Sequence, residues 1–521
     1  MLQMNRTPLI KSVILMMIAA IVGNALYIIR EPIIAAYFGA SAQTDAYNVA
    51  MTVITMLLTV TISIESILVP VYVERLHKDK AEGKQFIRQV LTLYFLILSL
   101  IFMVSYFAAP WLVSLYAPGF AAKTSALAIH LTRILGLFAV VSGLAGYFSM
   151  VLTAHQKFLW VALGPIVTTI LVIIILLSAA PHYGIDALAW GVVAGNTVQM
   201  FLLGLSTQWQ AVRLGLNFHL GEAVRALGKL SGWMLAARFI AQGNDLIDRN
   251  MLSHLKEGTI AALGFARSIY LLPFTIFTSG ITRVIIANFS WDVAKEDGET
   301  LKQDLSLAIR MAAFFMIPVT VGFVMLREPL VEVFYHRGAF DATDAEATRT
   351  VLMFLSLGLF FRAITFIVGR VFFAMQSLVF PTIFAIIGLA VHFAANLLLI
   401  PALGVSGVAL SLTIMEVVVA VSYLAKIRQI LGPLGGKDMA ISLTKMGVAS
   451  GVMAFGLFFL SLFLSTFIDG SSRRQFVILG GIISAGGLFY IVSLYLLRSE
   501  ELLLSIKLAK DTVSNQIERL L

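Results

Sequence analysis

Long apolar runs separated by short polar connectors recur along the whole chain. A bilayer-spanning helix needs about 20 mostly apolar residues. On that measure fourteen segments qualify, at 9–29, 46–72, 86–108, 125–152, 158–179, 186–207, 222–252, 259–288, 305–326, 346–375, 379–400, 405–425, 441–467 and 475–497. Several exceed 25 residues, which predicts tilt or extension beyond the membrane. The pattern therefore predicts an all-α polytopic membrane protein.

The connectors alternate in charge, and the alternation orients the chain. One set carries dense basic clusters such as Arg75, Lys78, Lys80, Lys84 and Arg88, or Lys426, Arg428 and Lys437. The other carries far fewer cations, chiefly Lys123, Lys256, Arg327, Arg337, Arg473 and Arg474, several of them beside acids. Cytoplasmic loops hold the excess of Lys and Arg, so both termini are expected inside, consistent with an even helix number. The tail from Glu500 is amphipathic and too polar to span, and is expected to lie along the inner surface.

An internal repeat organises the runs. The segment from Gln156 matches the segment from Gln376 without gaps, pairing Pro181 with Pro401, Gly184 with Gly404 and Ala189 with Ala409, 220 residues apart. SLYAPGF (114–120) answers VFYHRGAF (333–340), and Arg30 and Gly39 are echoed by Arg249 and Gly258. A repeat of six helices, an even number, inserts twice in the same orientation, so its copies are expected to be related by an axis along the membrane normal. This predicts lobes at 1–215 and 216–430, two added helices over 431–497 and a tail over 498–521. Two six-helix lobes facing one another is a transporter architecture.

Composition sharpens the picture by exclusion. With 59% hydrophobic and 12% charged residues, against about 25% charged in soluble domains, no ordinary aqueous surface can be assembled. The net charge of +9 resides mostly in connectors, where it sets topology, so no nucleic-acid partner is expected. The absence of cysteine excludes disulfides, thiol catalysis and cysteine-held metals. The first run lacks a signal-peptide cleavage pattern and reads as a retained helix. Neither a catalytic constellation nor a phosphate-binding loop is evident, so neither enzymatic turnover nor ATP use is expected.

Charges inside the apolar runs are the candidate chemistry. An ionised side chain at mid-bilayer costs about 2.5–3.5 kcal/mol on insertion scales, so each should face a wet cavity or a partner. The candidates are Arg30, Glu65, Arg133, Arg238, Asp245, Asp248, Arg249, Arg267, Arg283, Arg362, Arg370, His392 and Glu416. In ARFIAQGNDLIDRNML, helical spacing puts Arg238, Asp245 and Arg249 on one face with Asp248 close by. Read structurally, Asp245, Asp248 and Arg249 are an ion-pair network that lets a polar helix insert. No acid stands one turn either side of Arg238 or Arg267 in the sequence, and these two read as substrate-facing cations. Guanidinium groups suit phosphate oxygens and stay charged at physiological pH. Arg30, Arg133, Arg283, Arg362 and Arg370 have a plainer reading as cations snorkelling to the interface. A drug and cation antiporter would instead rely on carboxylates such as Glu65 and Glu416. Asp245, His392 and Asn396 form a candidate cation site, the last two one helical turn apart, with interhelical hydrogen bonding as the alternative.

The stretches AYFGASAQTDAY, LYAPGF, LIDRNMLSHLKEGTIAALGFARSIYLLP, FYHRGAFDATDAEAT and NLLLIPALGVSGVAL, in this order, resemble the MurJ/MviN family of the multidrug/oligosaccharidyl-lipid/polysaccharide exporter superfamily. The resemblance covers about residues 10–430. It implies a monomeric flippase of the bacterial cytoplasmic membrane, active in peptidoglycan synthesis. Such a flippase moves lipid II, a polyprenyl-diphosphate-linked glycan, to the outer leaflet by alternating access. It implies a cationic substrate cavity and a groove at the last two helices for the lipid tail. No cofactor is implied, and coupling to Na+ or to membrane potential is the expected driving force. Carried over onto this sequence, the family's substrate and gate positions fall on Arg30, Asp45, Asp248 and Arg249, beside Arg238 and Arg267 read from the residues. Departures occur at Asn24, Leu58, Thr59 and Ser268, where the family usually has basic side chains, and they widen the expected substrate to polyprenyl-diphosphate-linked glycans as a class. A cation-coupled multidrug exporter and a membrane glycosyltransferase or polymerase are the competing readings.

Overall fold

A computed structural model describes residues 6–209, 217, 221–377, 379–464 and 472–507. All regular structure among them is helical. The helices are α1 (Arg6–Phe38), α2 (Ala42–Lys78), α3 (Lys80–Phe107), α4 (Ala109–Tyr116), α5 (Ala122–Ala154), α6 (Phe158–Tyr183), α7 (Ile185–Trp209), α8 (Glu222–Leu252), α9 (Thr259–Ala294), α10 (Gly298–Tyr335), α11 (Ala342–Ser356), α12 (Leu359–Ala374), α13 (Val379–Leu403), α14 (Val405–Leu431), α15 (Gly436–Leu464) and α16 (Ser472–Leu496).

Every expected span has a helix over it, yet length and apolarity support a smaller number than fourteen. Eleven helices among the described residues meet both criteria. A twelfth arises if α11 and α12, bent by 46° at their junction, count as one. α8 has the length but carries Arg225, Arg238, Asp245, Asp248 and Arg249, too many charges for a lipid-embedded segment. The structure also corrects the end of the first run. Arg30 and Glu31 do not close a helix, because α1 continues through Pro32 to Phe38. A proline inside a membrane helix is tolerated where neighbouring groups take up the freed backbone carbonyl. Asp45 does stand in the first turn of its helix, α2. The short helix α4, with Pro110 in its first turn, was not foreseen.

The repeat is visible in the backbone. Gln156 and Gln376 share a left-handed conformation, with φ of 59° and 55°, at the turns that precede α6 and α13. Gly184 and Gly404 also match one another, with φ of 57° and 56° and ψ of -140° and -133°, a conformation open to glycine, between α6 and α7 and between α13 and α14. A non-glycine residue seldom adopts this conformation, so its recurrence at matched positions reports a common local fold. One difference stands out. α5 runs unbroken over residues 122–154, whereas the matching stretch is split into α11 and α12 at Gly358. A side chain there would press on Thr413 of α14.

Two compact units emerge, one of residues up to Ala261 with Arg337–Asp344, the other of Ala262–His336 with the chain from Ala345 onward. The first contains α8, which packs on α2, although the repeat assigns that helix to the second lobe. Compactness and repeat are separate properties of the chain, and the lobe boundary at 215/216 comes from the repeat alone. In the second unit, α10, α15 and α16 enclose an apolar core that includes Phe314, Met446, Met453, Leu457 and Tyr490. Large apolar side chains cover the outside, among them Leu398, Leu496 and Phe107, each more than 70% exposed. Such a surface is at home only in hydrocarbon.

Candidate functional site

In the first unit the turn between α1 and α2 and the turn that enters α9 are tied together by carboxylates. Asp45, almost fully buried, accepts hydrogen bonds from the backbone N–H groups of Gly258 at 2.6 Å and Ala261 at 2.7 Å. These are orphan donors at the start of α9, so Asp45 caps that helix from another one. Asp344 does the same for the first turn, accepting from the N–H of Ala40 at 2.9 Å. Gly39 and Gly258, the matched glycines, both have positive φ and both lie against carbonyl groups that a Cβ would strike. Asp344 was missed in the sequence. Its signal was an acid in the first turn of a helix, a position that favours backbone capping.

Around this frame stand the predicted residues of α1 and α8. Arg30 bonds its neighbour Glu31 at 2.7 Å and lies over the Tyr27 ring. Asp248 is fully buried, and Arg249 donates to Thr52 at 3.3 Å. Arg238 is half-buried and within electrostatic reach of Glu65 on α2. Glu65 in turn lies against Gly146 of α5, where any side chain would collide with its carboxylate. Asp245, also half-buried, is felt by Tyr116. Arg133 donates to the Tyr106 carbonyl and is solvent-exposed, as a snorkelling cation would be. The side chains of Asn24 and Arg283 lie outside the described residues.

The second unit has its own charged cluster. Arg362 on α12 bonds Glu416 on α14 at 3.2 Å, and its guanidinium lies over Phe274 at 5.0 Å and Tyr270 at 6.0 Å. Arg267 on α9 is half-buried and adds a second positive field on Glu416. Arg370 rests on Phe366. His392 and Asn396 are fully buried and bonded to each other at 3.2 Å. Ser411 of α14 completes their group, at 3.0 Å from His392 Nδ1 and donating to Asn396 Oδ1 at 2.5 Å. The imidazole and amide are thus engaged in an interhelical hydrogen-bond group, and Asp245 belongs to the other unit. Among the described residues, no three acids, histidines or cysteines are grouped.

An apolar groove of about 340 Å³ lies between α10, α15 and α16, walled by Phe323, Leu326, Leu330, Met453, Ile483 and Tyr490. Its floor is opened by missing side chains, since Cβ atoms at Gly322 and Gly487 would meet nothing within 4 Å. A smooth, apolar slot reaching the last two helices has the chemistry to hold a hydrocarbon chain.

Comparison with known proteins agrees with this arrangement. Residues 34–477 match the family described as lipid II flippase MurJ. A probable lipid II flippase MurJ of Rickettsia prowazekii is 24% identical over 412 residues, 78% of this chain and 81% of the relative. A solved structure of lipid II flippase MurJ in an inward closed conformation superposes with a TM-score of 0.78 at 25% identity, covering 92% of this chain and 98% of that one. An inward-facing multidrug transporter of the MATE family and MOP superfamily reaches a TM-score of 0.67 at 16% identity, over 79% of this chain and 95% of its own, a likeness of fold alone. With its multi-pass helical fold and a match over most of its length, the chain belongs to the MurJ lipid II flippase family.

Proposed function

We propose that this protein is the flippase that carries lipid II from the inner to the outer leaflet of the bacterial cytoplasmic membrane by alternating access, with both termini on the cytoplasmic side. The observation that carries the reading is the family match over residues 34–477. The site chemistry supports it. Each unit carries cations of the kind that bind diphosphate, Arg30 and Arg238 in the first and, separately, Arg267 in the second. The apolar groove at α10, α15 and α16 suits a polyprenyl tail. Asp45 and Asp344 hold the turns beside Asp248 and Arg249, where a gate is expected. A proton-exchanging drug exporter is less well served, because Glu65 stands beside Arg238 and Glu416 beside Arg362. The test is complementation of a strain depleted of its lipid II flippase. The wild-type chain restores growth, while Arg238→Ala and Arg267→Ala, expressed at normal levels, do not. Full rescue by both variants would remove these arginines from the site, and failure of the wild type would remove the function.

A further inference from the structure

We propose that a polar cavity between the first turns of α10 and the start of α15 binds the headgroup of a membrane phospholipid, one that joins a phosphodiester to a primary ammonium. The proposal does not depend on which lipid-linked substrate the protein moves. The cavity, of about 390 Å³, is walled by Lys302, Asp304, Ser306 and Arg310 on one side and by Gly435 and Asp438 on the other. Its size is within the roughly 300–1,000 Å³ of small-molecule sites. Lys302, Ser306 and Arg310 recur every four residues, so they form one stripe along α10. Both walls stand where apolar runs begin, at 305–326 and 441–467. The cavity therefore lies at the boundary between hydrocarbon and water, the level of phospholipid headgroups.

Arg310 points to the phosphate. Its Nη1 is held by Glu500 at 3.1 Å and Glu501 at 3.2 Å, which fixes the side chain in the wall. Its Nε–H is buried and meets no acceptor among the described residues. A buried donor left unpaired costs free energy, and a phosphate oxygen in the cavity would satisfy it. Lys302 adds a second cation, since its ammonium has three donors and Glu299 engages it at 2.5 Å from the exposed side.

The acids decide what else the ligand carries. Asp304 and Asp438 match the two cations in number, and Glu500 and Glu501 already balance Arg310. A plain anion would be opposed by these carboxylates, and a plain cation by Lys302 and Arg310. A ligand with both charges suits both sets. A primary ammonium can donate to Asp304 and Asp438, whereas a quaternary ammonium has no N–H and is held by aromatic faces. Among the described residues no aromatic ring walls the cavity. The chemistry is that of phosphoethanolamine, not of phosphocholine or phosphoglycerol.

The experiment titrates the purified full chain in detergent with dilauroyl phosphatidylethanolamine, phosphatidylcholine and phosphatidylglycerol, and with deacylated glycerophosphoethanolamine. One-to-one complexes are read by native mass spectrometry. The ethanolamine lipid is expected to bind about tenfold more tightly than either other lipid, and the deacylated form far more weakly than the lipid. Asp438→Asn should reduce the ethanolamine advantage severalfold while leaving phosphatidylglycerol binding no weaker. Arg310→Lys keeps a charge for Glu500 and Glu501 but lacks the Nε donor, and should weaken all three lipids together. Asp438 is exposed, so its variant carries the test if Arg310→Lys does not fold. Equal binding of the three lipids by the wild type overturns the proposal, as does an undiminished ethanolamine advantage in Asp438→Asn or unchanged lipid binding in Arg310→Lys. Equal affinity for the deacylated headgroup would assign the cavity to a soluble ligand and overturn the lipid as its occupant.

Discussion

Asp45 and Gly258, 213 residues apart, are joined by a 2.6 Å hydrogen bond from the glycine N–H to the carboxylate, with the N–H of Ala261 on the second oxygen. Removing the carboxylate would leave two buried backbone donors without an acceptor. Asp45→Ala is therefore expected to lower stability by about 2–3 kcal/mol, read as a lower thermal midpoint in detergent. Asp45→Asn, which keeps one acceptor, should lose less. An Asp45→Ala protein that melts like wild type but fails to transport would show that the residue acts on substrate instead.

Filling the apolar groove tests its occupant. Gly322→Leu and Gly487→Leu place side chains in open space, so folding should be preserved while complementation falls sharply. Binding of a diphosphate with a long prenyl chain should weaken more than binding of one with a short chain. Equal weakening of both would mean that the groove does not hold the tail.

Glu65 and Arg238 should be thermodynamically coupled. Each charge lies in the field of the other in a partly buried setting, so removing one removes that attraction. In a double-mutant cycle, Glu65→Gln/Arg238→Gln should be more stable than the sum of the single variants implies. Additive losses in unfolding midpoint would mean that the two charges do not interact.

The turn after α16 predicts a pH dependence. Burial alone would push the Glu501 carboxyl up, but hydrogen bonds from Ser499 and Ser442 and the nearby Arg310 outweigh it and hold the group below the usual carboxylate range. A carboxyl held low stabilises the fold above its unfolded pKa of about 4.3, and that contribution disappears as pH falls through the folded value. Limited proteolysis of residues 498–507 should accelerate below that range in the wild type. Glu501→Gln should flatten the profile, and identical profiles would refute the role.

Much of the architecture could be read directly because lipid imposes a single simple rule. Apolar runs of sufficient length become helices, and all fourteen expected spans lie on one or two of them. The repeat also survived into the backbone, at Gln156 with Gln376 and at Gly184 with Gly404. What escaped was local and long-range at once. The first apolar run ends at residue 29, yet α1 continues through Pro32 to Phe38. The aromatic support under Arg362 comes from Tyr270 and Phe274, about ninety positions earlier, and no spacing rule connects them. The role of Asp344 depended on Ala40, 304 residues away.

The break at Gly358 has a mechanical consequence. One copy of the repeat is a continuous rod in α5, while the other has a joint four residues ahead of Arg362. A cation on a sixteen-residue segment beyond a joint can be re-aimed by a small change of angle, without shifting the rest of that copy. Duplication supplied two equivalent pieces, and a single elbow made them unequal in stiffness.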